Sequence, residues 1–187
     1  MSGVRLVIFG RQGAGKGTQC LHLSERYGVP HVSTGDMLRA AAEAGTPFGL
    51  KAKEIMEAGE LVPDDVMYGL VEERLAQPDA EAGVLLDGFP RTAEQAAALD
   101  RILGDDPLLA AINLEVPEGI VIERMLARGR EDDTEEAIRR RLDLYLDQTA
   151  PLLAHYDGLG LLVEVDGVGT EDEVAQRLAA AVEARRS

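Results

Sequence analysis

Gly10-Arg11-Gln12-Gly13-Ala14-Gly15-Lys16-Gly17-Thr18 decides how the rest of the chain is read. The apolar run Val4-Arg5-Leu6-Val7-Ile8-Phe9 precedes it, and a helical pattern over about residues 15–27 follows. A glycine-rich turn between a buried strand and a helix is the setting a phosphate-binding loop requires. Gly13, Gly15 and Gly17 would let the backbone turn its N–H groups inward around phosphate oxygens, with partial positive charge from the helix N-terminus. Lys16 would add a mobile full charge between the terminal phosphates. The alternative is a strand-to-helix turn with no ligand. Lysine usage weighs against it, because the chain holds only Lys16, Lys51 and Lys53. The generic loop ends Gly-Lys-Ser/Thr, whereas here Gly17 follows the lysine and Thr18 comes one position later. That order argues against a direct hydroxyl–magnesium bond of the GTPase type.

Short apolar runs alternate with longer helical stretches along the chain, which favours an α/β fold on a mostly parallel sheet. Beyond residues 4–9, strands are expected at 84–87, 110–116 and 161–165, with a shorter one near 31–33. Helices are expected at about 15–27, 36–43, 48–58, 64–77, 92–103, 117–128, 133–156 and 170–185. Pro47 and Pro117 suit a first helical turn, and Thr170-Glu171-Asp172-Glu173 fits a capping box. Two inserts, about 33–62 and 128–133, interrupt the strand–helix rhythm and read as lobes over a cleft within a single domain. With 187 residues and 45% hydrophobic content, one domain is what the chain can fill.

Charge narrows the partners. Lys plus Arg number 19 against 34 Asp plus Glu, a formal charge of −15. Such a surface should repel nucleic acid and anionic lipid. No apolar run approaches a membrane span, and Met1-Ser2-Gly3-Val4-Arg5 lacks an export pattern, so a cytoplasmic protein is expected. Cys20, the single cysteine, is expected on the core face of the first helix. His22, His31 and His155 show no metal-ligand spacing and receive no chemistry.

Against that acidity, six arginines gather: Arg124, Arg128, Arg130, Arg139, Arg140 and Arg141. Any one could simply neutralise Glu131, Asp132, Asp133, Glu135 or Glu136, and this holds most for Arg139 and Arg140. Together they imply a place where anionic ligands collect. Asp87, at the end of an apolar strand, could hold magnesium or its water shell, or cap the turn Gly88-Phe89-Pro90-Arg91. Arg91 projects from that turn with a fork suited to phosphate. Asp36 could cap a helix carrying Arg39 one turn along. Gln95 completes a capping-box pattern with Thr92, yet its amide could also read a purine edge. These parts converge on phosphoryl transfer, which needs alignment and charge cover more than covalent work from the protein.

Gly13-Ala14-Gly15-Lys16-Gly17-Thr18-Gln19, Ser33-Thr34-Gly35-Asp36-Met37-Leu38-Arg39, Asp87-Gly88-Phe89-Pro90-Arg91-Thr92 and Thr149-Ala150-Pro151-Leu152 together resemble the adenylate kinase family, in order, over about residues 4–182. The resemblance implies a P-loop three-layer α/β/α fold with a five-stranded parallel sheet, a small NMP-binding lobe and a mobile lid. It implies the reaction ATP + AMP ⇌ 2 ADP with Mg²⁺, a place in nucleotide homeostasis and purine salvage, and a monomer. Gly13, Ala14, Gly15, Lys16, Gly17 and Thr18 would hold the ATP phosphates, with Arg124 and Arg128 facing ATP and Gly169 near its adenine. Thr34, Arg39, the backbone around Glu60, Leu61 and Val62, then Gly88, Phe89, Pro90, Arg91 and Gln95 would form the AMP site. Arg130 and Arg141 would sit near the phosphates in transfer, and Asp87 would orient magnesium through water.

The sequence departs from the family pattern in three places. Gln12 replaces a common proline, Glu60 stands where lysine is common, and Arg128-Gly129-Arg130-Glu131-Asp132-Asp133 is all that remains of the lid. Long-lid members carry an extended insert, sometimes with a four-cysteine zinc site, so this chain resembles a short-lid form without zinc. The nearest rival is a sister kinase acting on UMP or CMP; a nucleotide-switched regulatory or assembly module is the reading from a different class.

Overall fold

The sheet follows from its apolar runs. The computed structural model describes residues 3–131 and 133–186, so Asp132 and the Met1-Ser2 end of the N-terminal stretch lie outside the described residues. Strands β1 (Val4–Phe9), β2 (His31–Ser33), β3 (Gly83–Asp87), β4 (Ala110–Glu115) and β5 (Leu162–Asp166) form one sheet in the order β2-β3-β1-β4-β5. Every pairing is parallel. β1 lies at the centre with all six residues buried, including Arg5, whose guanidinium donates to the Glu81 carbonyl and to Asp106.

Alternation along β1 builds two cores. Val4, Leu6 and Ile8 face one layer, with Cys20 and Leu23 of α1 (Lys16–Tyr27), Val121 and Met125 of α6 (Glu118–Arg128), and Leu178 and Val182 of α9 (Glu171–Arg186). Val7 and Phe9 face the other. There they meet Leu38 of α2 (Thr34–Glu43), Ala52 of α3 (Pro47–Glu57), Val71 of α4 (Asp64–Leu75), Leu99 of α5 (Ala93–Leu103) and Tyr156 of α8 (Ala150–Gly158). Helix α7 (Glu135–Leu144) completes the set. The result is the expected three-layer α/β/α arrangement.

Helix ends correct several local expectations. α2 begins at Thr34, two residues early, because Ser33 is its N-cap: the Ser33 hydroxyl accepts from the Asp36 N–H. Asp36 is therefore in the first turn instead of at the cap, where its charge still suits the helix N-terminus. Pro47 opens α3 as expected, but Pro117 lies just before α6. The Thr170 box forms: Glu173 Oε2 accepts from the Thr170 N–H at 2.8 Å, and the Thr170 hydroxyl accepts from the Glu173 N–H.

The largest correction concerns the helix expected over 133–156. It is α7, a π-helical turn at Tyr145–Thr149, and α8. The Ala150 N–H reaches back to the Tyr145 carbonyl, five residues away. Pro151 has no N–H and its ring crowds the preceding turn, so the regular ladder cannot run through this point.

Residues 33–62 hold α2 and α3, pressed so closely that a Cβ on Gly49 would stand 2.1 Å from the Ala41 carbonyl. The far end of α3 reaches α7. Arg140 grips Glu60 with Nε at 2.8 Å and a second nitrogen at 3.2 Å, Lys53 Nζ donates to Glu131 at 2.8 Å, and Arg141 donates to the Met56 carbonyl at 2.7 Å. Gly59, at φ 76°, makes this approach possible, since a Cβ there would meet the Ala137 carbonyl at 2.8 Å. Replacing Glu60 with Lys sets like charges face to face across this junction. In Glu60→Lys, amide exchange over residues 47–60 should quicken at low salt, and the difference should shrink as salt screens the pair.

Candidate active site

Parallel register brings the carboxyl ends of three strands together. Asp87 ends β3 beside Ser33 of β2 and beside Ile8 of β1, two residues before the glycine-rich loop. This is the edge of an open α/β sheet at which ligands bind. A cavity of about 580 Å³ opens there. Its walls include Gly13, Gly15, Lys16, Gly17 and Thr18 from the loop and α1, and Arg124, Arg128, Arg130 and Arg141 from the α6–α7 region. Thr34, Arg39, Glu60, Leu61, Val62, Asp87, Gly88, Pro90, Arg91 and Gln95 also line it, as does His31. A smaller cavity of about 260 Å³ is lined by Ala14, Gly15, Thr18 and Arg124 together with Gly169. The sequence-derived residues thus gather at two adjoining hollows. Phe89 is the exception: its side chain is buried in the core with Leu86 and Leu99, leaving only its backbone near the site.

The loop closes on itself. Gly13 has φ 85°, and a Cβ there would stand 2.6 Å from the Val121 carbonyl, so no other residue fits. Gly15 also has positive φ, but Gly17 is already inside α1. Two of the three glycines therefore turn the chain. Gly17 instead leaves room beside Asp87, whose Oδ2 would lie 4.0 Å from a Cβ. Lys16 Nζ donates to the Gly10 carbonyl at 2.8 Å and to the Arg11 carbonyl at 3.1 Å. Burial pushes its pKa down, opposed by the Asp87 carboxylate.

Each cation is held by a partner. Arg91 is half-buried in the cavity wall, where desolvation lowers its pKa, and its Nε donates to the Gly88 carbonyl at 2.9 Å. Arg124 donates to the Ala14 carbonyl, tying α6 to the loop. Arg39 pairs with Asp36. Arg128 makes a two-pronged bond to Asp133, both at 2.8 Å, and Arg141 reaches the same carboxylate at 3.2 Å. The Asp133 side chain is fully buried beneath them. Arg139 pairs with Glu135 on the surface, as the neutralising reading expects, whereas Arg140 crosses to Glu60.

Three residues given no site role by the sequence complete the geometry: His31, Asp64, and Asp133, which figured there only as a charge for the arginines to neutralise. His31 Nε2 lies 3.4 Å from Asp87 Oδ2. Burial alone would raise the Asp87 pKa; the hydrogen bond from His31 and the charges of Lys16 and Arg91 outweigh it and hold the carboxyl below its ordinary range. An ionised carboxylate only accepts, so His31 carries its proton on Nε2 in this contact. Asp64 accepts from Gln95 Nε2 at 2.7 Å, while Gln95 Oε1 accepts from the Arg91 N–H at 2.8 Å. Asp133 organises the arginines. The first two depend on strand register and on contact across 31 residues, which local patterns do not encode; for Asp133 the dense arginines around it were the available signal.

Comparison with known proteins decides the family. A family model described as adenylate kinase matches residues 8–161. The chain belongs to the adenylate kinase family. It is 55% identical over 176 residues to an adenylate kinase of Nocardia farcinica (strain IFM 10152), covering 93% of this chain and 96% of the relative. It is 49% identical over 185 residues to one of Xylella fastidiosa (strain M12), covering 96% and 99%. An adenylate kinase of Corynebacterium aurimucosum is 52% identical over 176 residues, covering 93% and 96%. The family signature thus spans the loop, the Asp87 turn, the arginines and the π-helical turn. No helix among the described residues is long and apolar enough to cross a membrane.

Removing the Asp133 charge should release both guanidinium groups. Asp133→Asn is expected to cost about 3 kcal/mol, as breaking a buried ion pair does. Neighbouring arginines outweigh burial and hold the native Asp133 carboxyl below its usual value. Its contribution is therefore full above about pH 4, the unfolded value, and is lost as pH falls through the lowered native one. Thermal melting across that acid range should show Asp133→Asn losing less stability on acidification than the parent.

Proposed function

We propose that the chain transfers the γ-phosphoryl group of ATP to AMP, ATP + AMP ⇌ 2 ADP. The observation that carries this reading is one cavity whose cationic side chains come from opposite walls. Lys16, Arg124 and Arg128 stand on the loop side, Arg39 and Arg91 on the side of α2 and the β3 turn, and Arg130 and Arg141 line the same space. A protein binding a single nucleotide has no need of the second set.

In this reading the ATP phosphates lie on the loop N–H groups, with the adenine toward the smaller hollow at Gly169. AMP occupies the wall formed by Thr34, Arg39, the Glu60–Val62 backbone, Gly88 to Arg91 and Gln95. Gln95 keeps one N–H and one lone pair beyond its bonds to Asp64 and Arg91, the complement of an adenine edge. An AMP phosphate oxygen attacks the γ-phosphorus in line as the bond to the bridging oxygen of ADP breaks. No general base is required, because that phosphate is already ionised. Lys16, Arg91, Arg130 and Arg141 cover the charge on the equatorial oxygens.

Asp87 fits a hydrated magnesium ion: it is a hard, ionised carboxylate at the strand end beside the loop, with Gly17 leaving the space before it open. When bound with the triphosphate, magnesium would neutralise charge on its β and γ oxygens. The lobe over residues 33–62 and the short connection over 128–133 serve as covers that exclude water and suppress ATP hydrolysis. ATP, AMP and ADP are its small-molecule substrates in this reading, and the family resemblance supports a cytoplasmic monomer.

Lys16→Met should lower ADP formation by about a thousandfold or more while circular dichroism stays unchanged. Arg141→Ala should slow the same assay by less. Near-normal turnover of Lys16→Met would remove the lysine from the mechanism. Turnover of AMP, UMP, CMP and GMP measured side by side with ATP should favour AMP, and preference for a pyrimidine would move the chain to the sister UMP or CMP activity.

A further inference from the structure

Where β2 and β3 end at the cavity beneath α1, three chemically different donors converge, two of them, His31 and Asp87, in the cavity wall. Cys20 of α1 is fully buried, and His31 of β2 and Asp87 of β3 keep only 11% and 13% of their side chains exposed. One donor atom from each lies within 4.8 Å of the other two. Tetrahedral zinc bonds of about 2.0–2.1 Å set neighbouring nitrogen and oxygen ligands roughly 3.3 Å apart. The observed 3.4 Å between His31 Nε2 and Asp87 Oδ2 matches that edge, and the sulfur, no more than 4.8 Å from either, would complete a third corner at roughly 3.5 Å.

We infer that Cys20, His31 and Asp87 form an inhibitory site for a borderline-soft divalent cation such as Zn²⁺. A mixed sulfur, nitrogen and oxygen set selects such an ion over magnesium. Binding releases the Cys20 thiol proton to solvent and leaves the imidazole neutral, with its one proton on the ring nitrogen that does not bind. No electrons move. Thiolate, carboxylate and Zn²⁺ sum to zero, so the neighbourhood of Lys16 gains one positive charge relative to the thiol and carboxylate before binding. That repulsion keeps the site weaker than a structural zinc centre, and suits a site filled only when the metal is abundant. The fourth position is left to water. The inhibitory consequence rests on the reading of Asp87 given above: a carboxylate bound to zinc no longer orients the hydrated magnesium of ATP.

The single cysteine makes the test specific. Co²⁺ added to the full chain without nucleotides should produce a thiolate-to-cobalt charge-transfer band in the near ultraviolet, saturating at one equivalent and bleached by Zn²⁺. Cys20→Ala, confirmed folded by circular dichroism, should abolish the band and retain ADP formation. His31→Gln should weaken Co²⁺ binding by about tenfold or more. With Mg²⁺ in excess, Zn²⁺ should inhibit the parent at concentrations about tenfold or more below those that inhibit Cys20→Ala. Absence of the band in the parent, its survival in Cys20→Ala, or equal zinc inhibition of the two proteins would overturn the site. Because the band is read without turnover, a chain that bound Co²⁺ yet made no ADP would sink the phosphoryl-transfer reading and leave the metal site standing.

Discussion

Seven cationic side chains line one cavity of a protein whose formal charge is −15, and their mutual repulsion is the constraint the rest of the site answers. Without ligand, each must be bonded or neutralised in place. Backbone carbonyls take Lys16 and Arg91, Asp133 takes Arg128 and Arg141, and Asp36 takes Arg39. Partly desolvated charges interact strongly when a phosphate arrives, because little water screens them. The same desolvation makes every unpaired one costly. Acidity elsewhere on the chain confines the positive potential to one mouth, where it draws anions in and leaves the remaining surface repulsive to them.

That concentration is a product of sheet order. β1 sits between β3 and β4, so the loop that follows it emerges beside Asp87 and near Asn113, residues far away in sequence. α6 returns across the loop and fixes Arg124 to Ala14. Helix α7 then faces α3, and the Arg140–Glu60 and Lys53–Glu131 pairs span that junction. Isolated exposed pairs of this kind contribute little each. Their value lies in direction, since among the described residues the apolar side chains of α7 and of α3 belong to different cores.

The sheet was legible because parallel strands are apolar on both faces and stand out as runs; four of them were found within a residue or two, and the edge strand His31–Ser33 also formed. The loop was legible because its chemistry is local. What escaped was set by contacts across the chain. His31 gained meaning only through the register that lays β2 against β3, and Asp64 only through a fold that carries α4 to Gln95. Asp36 was given the cap because capping residues look alike in sequence, while backbone geometry chose Ser33. Phe89 was swept into the nucleotide site by its neighbours, although its apolar ring had a stronger claim on the core.

The π-helical turn at Tyr145–Thr149 accommodates one extra residue without lengthening the helix by a full α step. It therefore acts as a phase adjuster. Upstream, Arg141 points to the cavity; downstream, Leu152 and Tyr156 point to the core. At the slip itself, Tyr145 reaches Asn113, and the Thr149 hydroxyl donates to the Arg91 carbonyl at 3.1 Å. An unbroken helix would couple those faces at a fixed angle. With the slip, the azimuth of α7, which packs Ile138 and Leu142 into one core, is set independently of that of α8, which packs Leu152 and Tyr156 into the other, and a single residue of chain length tunes one against the other.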